Sequence, residues 1–169
     1  MAAWQIPDSS LILLIGPAGA GKSTFAARHF APTAILSSDR FRGMICDDEA
    51  NQAASGDAFA ALRHLARLRL NWGCLTVIDA TNLDARARRP FLRMARRLGR
   101  PVIAIVFQVS LETCLTQNRG RTARMVEETV IRRHADGLHK LLPRLAQEGY
   151  HRIYLLHEAN RESILLERN

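Results

Sequence analysis

The stretch Leu11-Ile-Leu-Leu-Ile-Gly-Pro-Ala-Gly-Ala-Gly-Lys-Ser-Thr24 predicts the fold around it. Its first five residues are all apolar, which is typical of a β-strand buried on both faces of a parallel sheet. The next eight follow the pattern Gly-x4-Gly-Lys-Ser, and a helical pattern begins at Lys22. A strand, a glycine-rich loop and a helix in this order predict a P-loop, in which backbone N–H groups surround phosphate.

Each part of this loop has an expected task. The glycines allow successive N–H groups to face inward, and the helix that follows adds the positive end of its dipole. We expect Lys22 to reach the β- and γ-phosphates of a nucleoside triphosphate and the Ser23 hydroxyl to bind Mg²⁺. The residues predicted to contact the nucleotide here are Gly16, Pro17, Ala18, Gly19, Ala20, Gly21, Lys22, Ser23 and Thr24.

Strand and helix patterns alternate along the rest of the chain. Further strands are expected at 34–37, 75–79, 101–107 and 150–156, with helices between them. This alternation predicts an α/β fold in one domain, 1–169, with a mostly parallel sheet of about five strands, helices on both faces, and ligands at the carboxyl ends of the strands. We also expect one helix to stop before Pro143 and the last dozen residues to form a short closing helix.

An acidic residue ends the strand that follows the first long helix. Asp79 closes the apolar run Val77-Ile78, where P-loop proteins hold a carboxylate near the metal, although a strand-terminal cap is the alternative. Many hydrolytic ATPases place a glutamate directly after this acid to activate water. Position 80 is alanine, which favours phosphoryl transfer over hydrolysis.

The segment Ser37-Ser-Asp-Arg-Phe-Arg42 follows the second expected strand and should emerge near the phosphates. Asp39 could accept a proton from an attacking hydroxyl. Arg42, three residues later, could hold a phosphate group of the acceptor. An ordinary surface salt bridge between the two residues is an equal alternative.

An arginine-rich segment, Asn118-Arg-Gly-Arg-Thr-Ala-Arg124, lies between two expected helices. Its arginines suit a mobile lid, about residues 112–125, that delivers guanidinium groups to the transferring phosphoryl group. Arg119, Arg121 and Arg124 are the candidates that this segment offers. The alternative is a solvated basic loop.

The chain carries 24 Lys and Arg against 16 Asp and Glu, a net charge of +8. This balance favours phosphate-bearing partners such as nucleic acid, or reflects a general preference for arginine. The arginines at 86–100 form a stripe that we expect to be a solvated helix face, and an electrostatic track for nucleic acid is the alternative. His134 is expected at the edge of the core. The chain shows no signal peptide and no apolar run of spanning length, so we expect a cytoplasmic protein without membrane contact.

Several motifs together resemble a known family, the kinase domain of bacterial polynucleotide kinase-phosphatases of RNA repair, relatives of the bacteriophage polynucleotide kinase. The match runs nearly end to end. It comprises Gly16 to Phe25, Ile35 to Asp39 with Arg42-Gly43, Asp47 to Glu49, Leu75 to Asn82, and Arg121 to Glu128 with Val130 to Arg132.

The resemblance implies a P-loop kinase that transfers the γ-phosphate of ATP to the 5′-hydroxyl of RNA or DNA. It further implies Asp39 as general base, Arg42 on the phosphate next to the terminal nucleoside, and Arg121, with Arg124, on the ATP phosphates. The family usually carries arginine where Gln117 stands, so the role of Arg119 is open. Larger members continue into phosphatase and ligase domains, and this sequence contains no Asp-x-Asp-x-Thr phosphatase signature. A stand-alone kinase and an excised domain are both open. Two alternatives remain: a kinase of a small metabolite or drug, and a nucleotide-switched binding protein.

Overall fold

The computed structural model describes residues 3–121, 125–160 and 164–168. Strands and helices alternate through these residues, as expected. The strands are β1 Ala3–Ile6, β2 Leu11–Ile15, β3 Ile35–Ser37, β4 Thr76–Asp79, β5 Val102–Gln108, β6 Arg152–His157 and β7 Leu165–Arg168. The helices are α1 Lys22–His29, α2 Ser38–Cys46, α3 Ser55–Asn71, α4 Ala85–Arg97, α5 Leu111–Arg119 and α6 Glu128–Leu145.

Five parallel strands form the main sheet in the order β3-β4-β2-β5-β6. The central strand β2 is fully buried, and its Leu13 pairs with Ile78 on one side and Ala104 on the other. Its side chains alternate between two cores, since Ile12 and Leu14 pack on one face of the sheet and the intervening residues on the other. The predicted α/β fold with helices on both faces is confirmed.

The first core lies under α1 and α5, where Phe25 and Phe107 pack edge to face with ring centroids 5.5 Å apart. The second lies under α3 and α4 and takes in Leu62 and Phe91, both fully buried. Burying a side chain of this size stabilises the fold by about 1.5–3 kcal/mol. The sheet is therefore held from both sides, which fixes the loops at its carboxyl edge.

The two ends of the chain form a separate two-stranded sheet, because β1 pairs in parallel with β7 from Ala3 opposite Leu165 to Ile6 opposite Arg168. The prediction of a short closing helix is wrong for residues 165–168. Burial alternates there, with Ile164 buried, Leu165 exposed and the next residue half-buried again, which is the period of a strand.

The last long helix, α6, also differs from expectation, since it continues through Pro143 to Leu145. A proline inside a helix removes one backbone hydrogen bond and costs about 3 kcal/mol. Leu141 and Leu145 are both buried on either side of it, and their burial offsets that cost. Among the described residues, neither this helix nor another is long and apolar enough to cross a membrane.

Candidate active site

The loop between β2 and α1 is folded tightly around two left-handed glycines, Gly19 with φ 83° and Gly21 with φ 84°. A Cβ on Gly19 would lie 2.3 Å from the carbonyl oxygen of Cys114 in α5, so a larger residue does not fit. Gly21 caps the N-terminus of α1. The loop therefore presents its backbone at the positive end of a helix, as a phosphate site requires.

Lys22, the first residue of α1, is folded back onto its own loop. Its Nζ donates to the carbonyl oxygens of Gly16, at 3.0 Å, and Pro17, at 2.6 Å. Burial lowers the pKa of Lys22 to about 8, although nearby Asp79 acts in the opposite direction. A buried ammonium that donates to neutral carbonyl oxygens is well suited to exchange them for phosphate oxygens.

The carboxylate of Asp79 ends β4 beside the loop and is only 6% exposed. Its pKa is raised, chiefly by burial, while a hydrogen bond from the Ser23 side chain and the charge of Lys22 oppose the shift. A hydroxyl next to a poorly compensated buried carboxylate is a donor set of hard oxygens, which suits Mg²⁺. The predicted pair of metal ligands therefore lies together and fits the ion.

Asp39 and Arg42 face the loop from the first turns of α2. The Arg42 guanidinium pairs with the Asp39 carboxylate and donates through Nε to the carbonyl oxygen of Glu49 at 2.8 Å. Arg42 is 4% exposed, whereas the Asp39 side chain is 43% exposed, so the pair joins a buried guanidinium to a carboxylate that solvent reaches. The Ser37 hydroxyl caps the helix by accepting from the amide of Arg40, which fixes the orientation of this first turn.

A cavity of about 660 Å³ joins these groups at the carboxyl edge of the sheet. Its volume lies within the range of small-molecule sites. Seven residues predicted from the sequence line it: Ala18, Lys22, Ser23, Asp39, Arg42, Asp79 and Arg121.

The segment expected to form a lid, about residues 112–125, consists of a helical part and a part that follows it. Residues 112–119 belong to α5, which packs into the core through Cys114 and Leu115. Arg119 pairs with Glu128 at 2.7 Å, and both side chains are exposed. Arg121 lines the cavity, whereas Arg124 lies outside the described residues. Among the predicted lid arginines within the described part of the chain, Arg121 alone reaches the cavity.

Sequence reasoning gave no role in the site to His134 of α6, which it expected at the edge of the core. It lines the cavity, and its Nδ1 accepts a hydrogen bond of 3.3 Å from the backbone amide of Ala18. Burial lowers the pKa of His134, with the charges of Lys22 and Arg133 acting in the same direction. A lone histidine at helical spacing carries no signal for a contact 116 residues away.

A buried polar cluster behind the loop was missed as well. Arg88 of α4 is 1% exposed and donates to the Glu148 carboxylate and, at 2.7 Å, to the backbone oxygen of Asn82. The Asn82 side chain donates to the Leu14 carbonyl oxygen at 2.8 Å. The neighbouring Thr81 carbonyl accepts from the amide of Gly16, at the base of the loop. The cluster thus ties α4 to the phosphate-binding loop.

The arginine stripe of α4 was expected to be a solvated face. Five of its arginines are exposed, and within the described residues none of the five has a carboxylate partner at ion-pair distance. They are Arg86, Arg89, Arg93, Arg96 and Arg97.

Comparison with known proteins places this geometry in a family. The family model described as AAA domain (AAA_33) matches residues 11–145, most of the chain. Transcription factor bHLH140 of Arabidopsis thaliana is 36% identical over 115 residues, which are 66% of this chain and 12% of that protein. The chain thus spans only 12% of the length of this curated relative.

Solved structures share the fold at low identity. A chain of the Pnkp1/Rnl/Hen1 RNA repair complex superposes with a TM-score of 0.69 at 22% identity, over 83% of this chain and 47% of that one. A gluconokinase from Sinorhizobium meliloti gives 0.56 at 16%, over 91% and 85%. The APS kinase CysC of Mycobacterium tuberculosis, in complex with AMPPNP and APS, gives 0.54 at 18%, over 94% and 96%. The resemblance found in the sequence is confirmed at the level of the P-loop kinase fold.

Proposed function

This chain belongs to the AAA domain family and has the fold of P-loop kinases, and from that premise we propose that it is an ATP-dependent polynucleotide 5′-hydroxyl kinase. Its substrates would be ATP and the 5′-hydroxyl end of RNA or DNA. The whole chain, 1–169, would act as one kinase domain, alone or joined to phosphatase or ligase partners, in the cytoplasm.

The observation that carries the proposal is the pairing of Asp39 with the buried Arg42 across one cavity from Lys22 and Asp79. A carboxylate on the acceptor side, opposite a phosphate-binding loop, is what an attacking hydroxyl needs. The paired guanidinium has donors suited to a phosphate of the acceptor. Similarity to a chain of an RNA repair complex supports a polynucleotide as that acceptor.

In the proposed reaction the 5′-hydroxyl oxygen forms a bond to the γ-phosphorus of ATP while the bond to the β–γ bridging oxygen breaks, and ADP leaves. Asp39 accepts the hydroxyl proton. Lys22 and Arg121, with Arg124, stabilise charge on the transferring group. Ser23 and Asp79 would hold Mg²⁺, which when bound neutralises phosphate charge. Position 80 is alanine, so no carboxylate follows Asp79 in the place where hydrolytic ATPases activate water.

The test is transfer of label from γ-labelled ATP to 5′-hydroxyl RNA and DNA oligonucleotides in the presence of Mg²⁺. We expect labelled polymer with the wild type, and a loss of about 10²–10⁴ in kcat for Asp39→Asn with ATP binding retained. Asp57→Asn, an exposed carboxylate in the first turn of α3, is the matched control and should transfer normally. Unlabelled polymer with wild-type protein would refute the proposal.

A second candidate is a kinase of a small acceptor. The gluconokinase and the APS kinase match this chain over nearly their whole length, whereas the RNA repair chain is only half covered. The two candidates differ in the role of Arg42. A polynucleotide kinase should phosphorylate a nucleoside 3′-phosphate far better than the nucleoside, whereas transfer to gluconate or a nucleoside in preference to both oligonucleotides would favour the small-acceptor reading.

A further inference from the structure

The reaction proposed above does not use the contact between α6 and the phosphate-binding loop. The loop amide of Ala18 donates to His134 Nδ1 at 3.3 Å, and the imidazole belongs to the wall of the same cavity as Lys22 and Asp39. A neutral imidazole that accepts a hydrogen bond at one ring nitrogen carries its proton on the other. His134 therefore has an acceptor directed at the loop and a donor, Nε2–H, on the opposite side of its ring.

The charges around His134 keep the ring in this form. Lys22 from the loop and Arg133 from its own helix both disfavour an added proton, and burial acts in the same direction. Arg121 also lines the cavity, together with the carboxylates of Asp39 and Asp79. A neutral donor among these groups can bind a phosphate oxygen without carrying a charge that must be compensated when the site is empty.

We propose that His134 is a phosphate-contacting residue of the transfer: Nδ1 holds the Ala18 amide and the loop in place, and Nε2–H donates to an oxygen of the transferring phosphoryl group. The inference rests on the proposed function in that it assumes a γ-phosphate in the cavity. It is independent of which acceptor receives that phosphate. The residue connects α6, which follows the arginine-rich segment, directly to the group being transferred.

The two ring nitrogens can be tested separately with amide side chains. Asparagine places its oxygen near the position of Nδ1, so His134→Asn keeps the acceptor for Ala18 and loses the donor. Glutamine places its NH₂ near the position of Nε2, so His134→Gln keeps the donor. We expect kcat to fall about tenfold or more in His134→Asn and to be largely restored in His134→Gln, with KM for ATP changing less than kcat in both.

Exposed His139 on the same helix provides the matched control, because His139→Asn should leave kcat unchanged. Thermal unfolding of each variant without nucleotide identifies any loss of fold. Wild-type kcat in His134→Asn would overturn the proposal, as would an equal loss in His134→Asn and His134→Gln, which would mean that only the loop contact matters.

A measurement on the wild-type chain avoids substitution altogether. In protein labelled with ¹⁵N at histidine, long-range proton–nitrogen correlation should show His134 as the Nε2–H tautomer, assigned by its disappearance in His134→Asn. Saturation with AMPPNP and Mg²⁺ should shift its Nε2 resonance, and an unchanged resonance would overturn the proposal. A shift in a protein that labels no oligonucleotide would contradict the proposed acceptor while supporting the role of His134.

Discussion

Lys22 has two properties that favour opposite protonation states. Its ammonium is buried on neutral carbonyl oxygens, which lowers its pKa to about 8, yet a phosphate ligand requires the charged form. The folded chain without nucleotide therefore releases this proton near pH 8, whereas an unfolded lysine holds it until about pH 10.4. Phosphate in the loop favours the charged form and restores the higher pKa.

The consequence is a pH-dependent affinity for ATP. Above pH 8 each binding event must take up a proton at Lys22, so the affinity should fall with rising pH, by up to about tenfold per unit. Calorimetric titration at pH 8.5 in two buffers of different ionisation enthalpy measures that uptake. Lys22→Met should remove it together with most of the affinity.

The chain contains one other lysine, Lys140, which is exposed on α6 and serves as the control. Lys140→Met should keep both the affinity and the proton uptake. Identical enthalpies in the two buffers for wild-type protein would contradict the pKa assigned to Lys22.

At the residue scale, the site could be predicted where a local pattern specifies the chemistry. Gly-x4-Gly-Lys-Ser and the acid at the end of β4 are such patterns, and the structure places Lys22, Ser23 and Asp79 together. His134 could not be found in this way. Its contact depends on how α6 packs against the loop, which no spacing within the helix encodes.

Among the elements, α4 supports the loop through its one buried arginine. Arg88 donates to both the Glu148 carboxylate and the Asn82 carbonyl oxygen, and the segment containing Asn82 holds the base of the loop. Removing Arg88 leaves the part-buried Glu148 carboxylate and the buried Asn82 carbonyl oxygen without their donor, which costs more than breaking an exposed pair.

Arg88→Ala should therefore lower the free energy of unfolding by about 3 kcal/mol. Urea denaturation followed by circular dichroism measures this loss. The neighbouring Arg89 is exposed on the same helix, so Arg89→Ala should change stability by less than about 0.5 kcal/mol. Equal stabilities of the two variants would show that the Arg88 cluster contributes nothing to the fold.

The apolar patterns indicated helices between the strands, and the buried residues of α3 and α4 do recur at helical spacing. The prediction failed at the end of α6, because Pro143 suggested that the helix stops before it. A local rule does not weigh the burial of Leu141 and Leu145 against one lost hydrogen bond. The strands of the main sheet were recognisable in the sequence because a strand covered on both faces needs a continuous apolar run.

At the scale of the whole molecule, the two cores lie on opposite faces of one sheet. Loss of the helices on either face would expose strands that also form the other core. This arrangement makes 1–169 a single cooperative unit in our proposal. Pairing of β1 with β7 adds a closure between the two ends of the chain. The sequence offered no signal for it, because strands of four residues are too short for their alternation to be distinguished from chance.

Trp4 of β1 anchors this closure to the rest of the fold. It is 7% exposed and stacks on Tyr154 of β6 with ring centroids 4.6 Å apart, and the Tyr154 hydroxyl donates to the backbone oxygen of Gln5. Trp72 at the end of α3 is 85% exposed. The two tryptophans of the chain therefore occupy opposite environments, which makes each the control for the other.

Trp4→Ala should lower the free energy of unfolding by about 3–5 kcal/mol, because it removes a large buried side chain and its aromatic contact. Trp72→Ala should change it by no more than about 0.5 kcal/mol. Urea unfolding followed by circular dichroism at the helix band measures both without depending on tryptophan emission. Because both cores lie on the same sheet, the wild type and Trp4→Ala should each unfold in one transition. A separate early transition in the wild type that is missing from Trp4→Ala would mean that the two-stranded sheet unfolds independently of the kinase core.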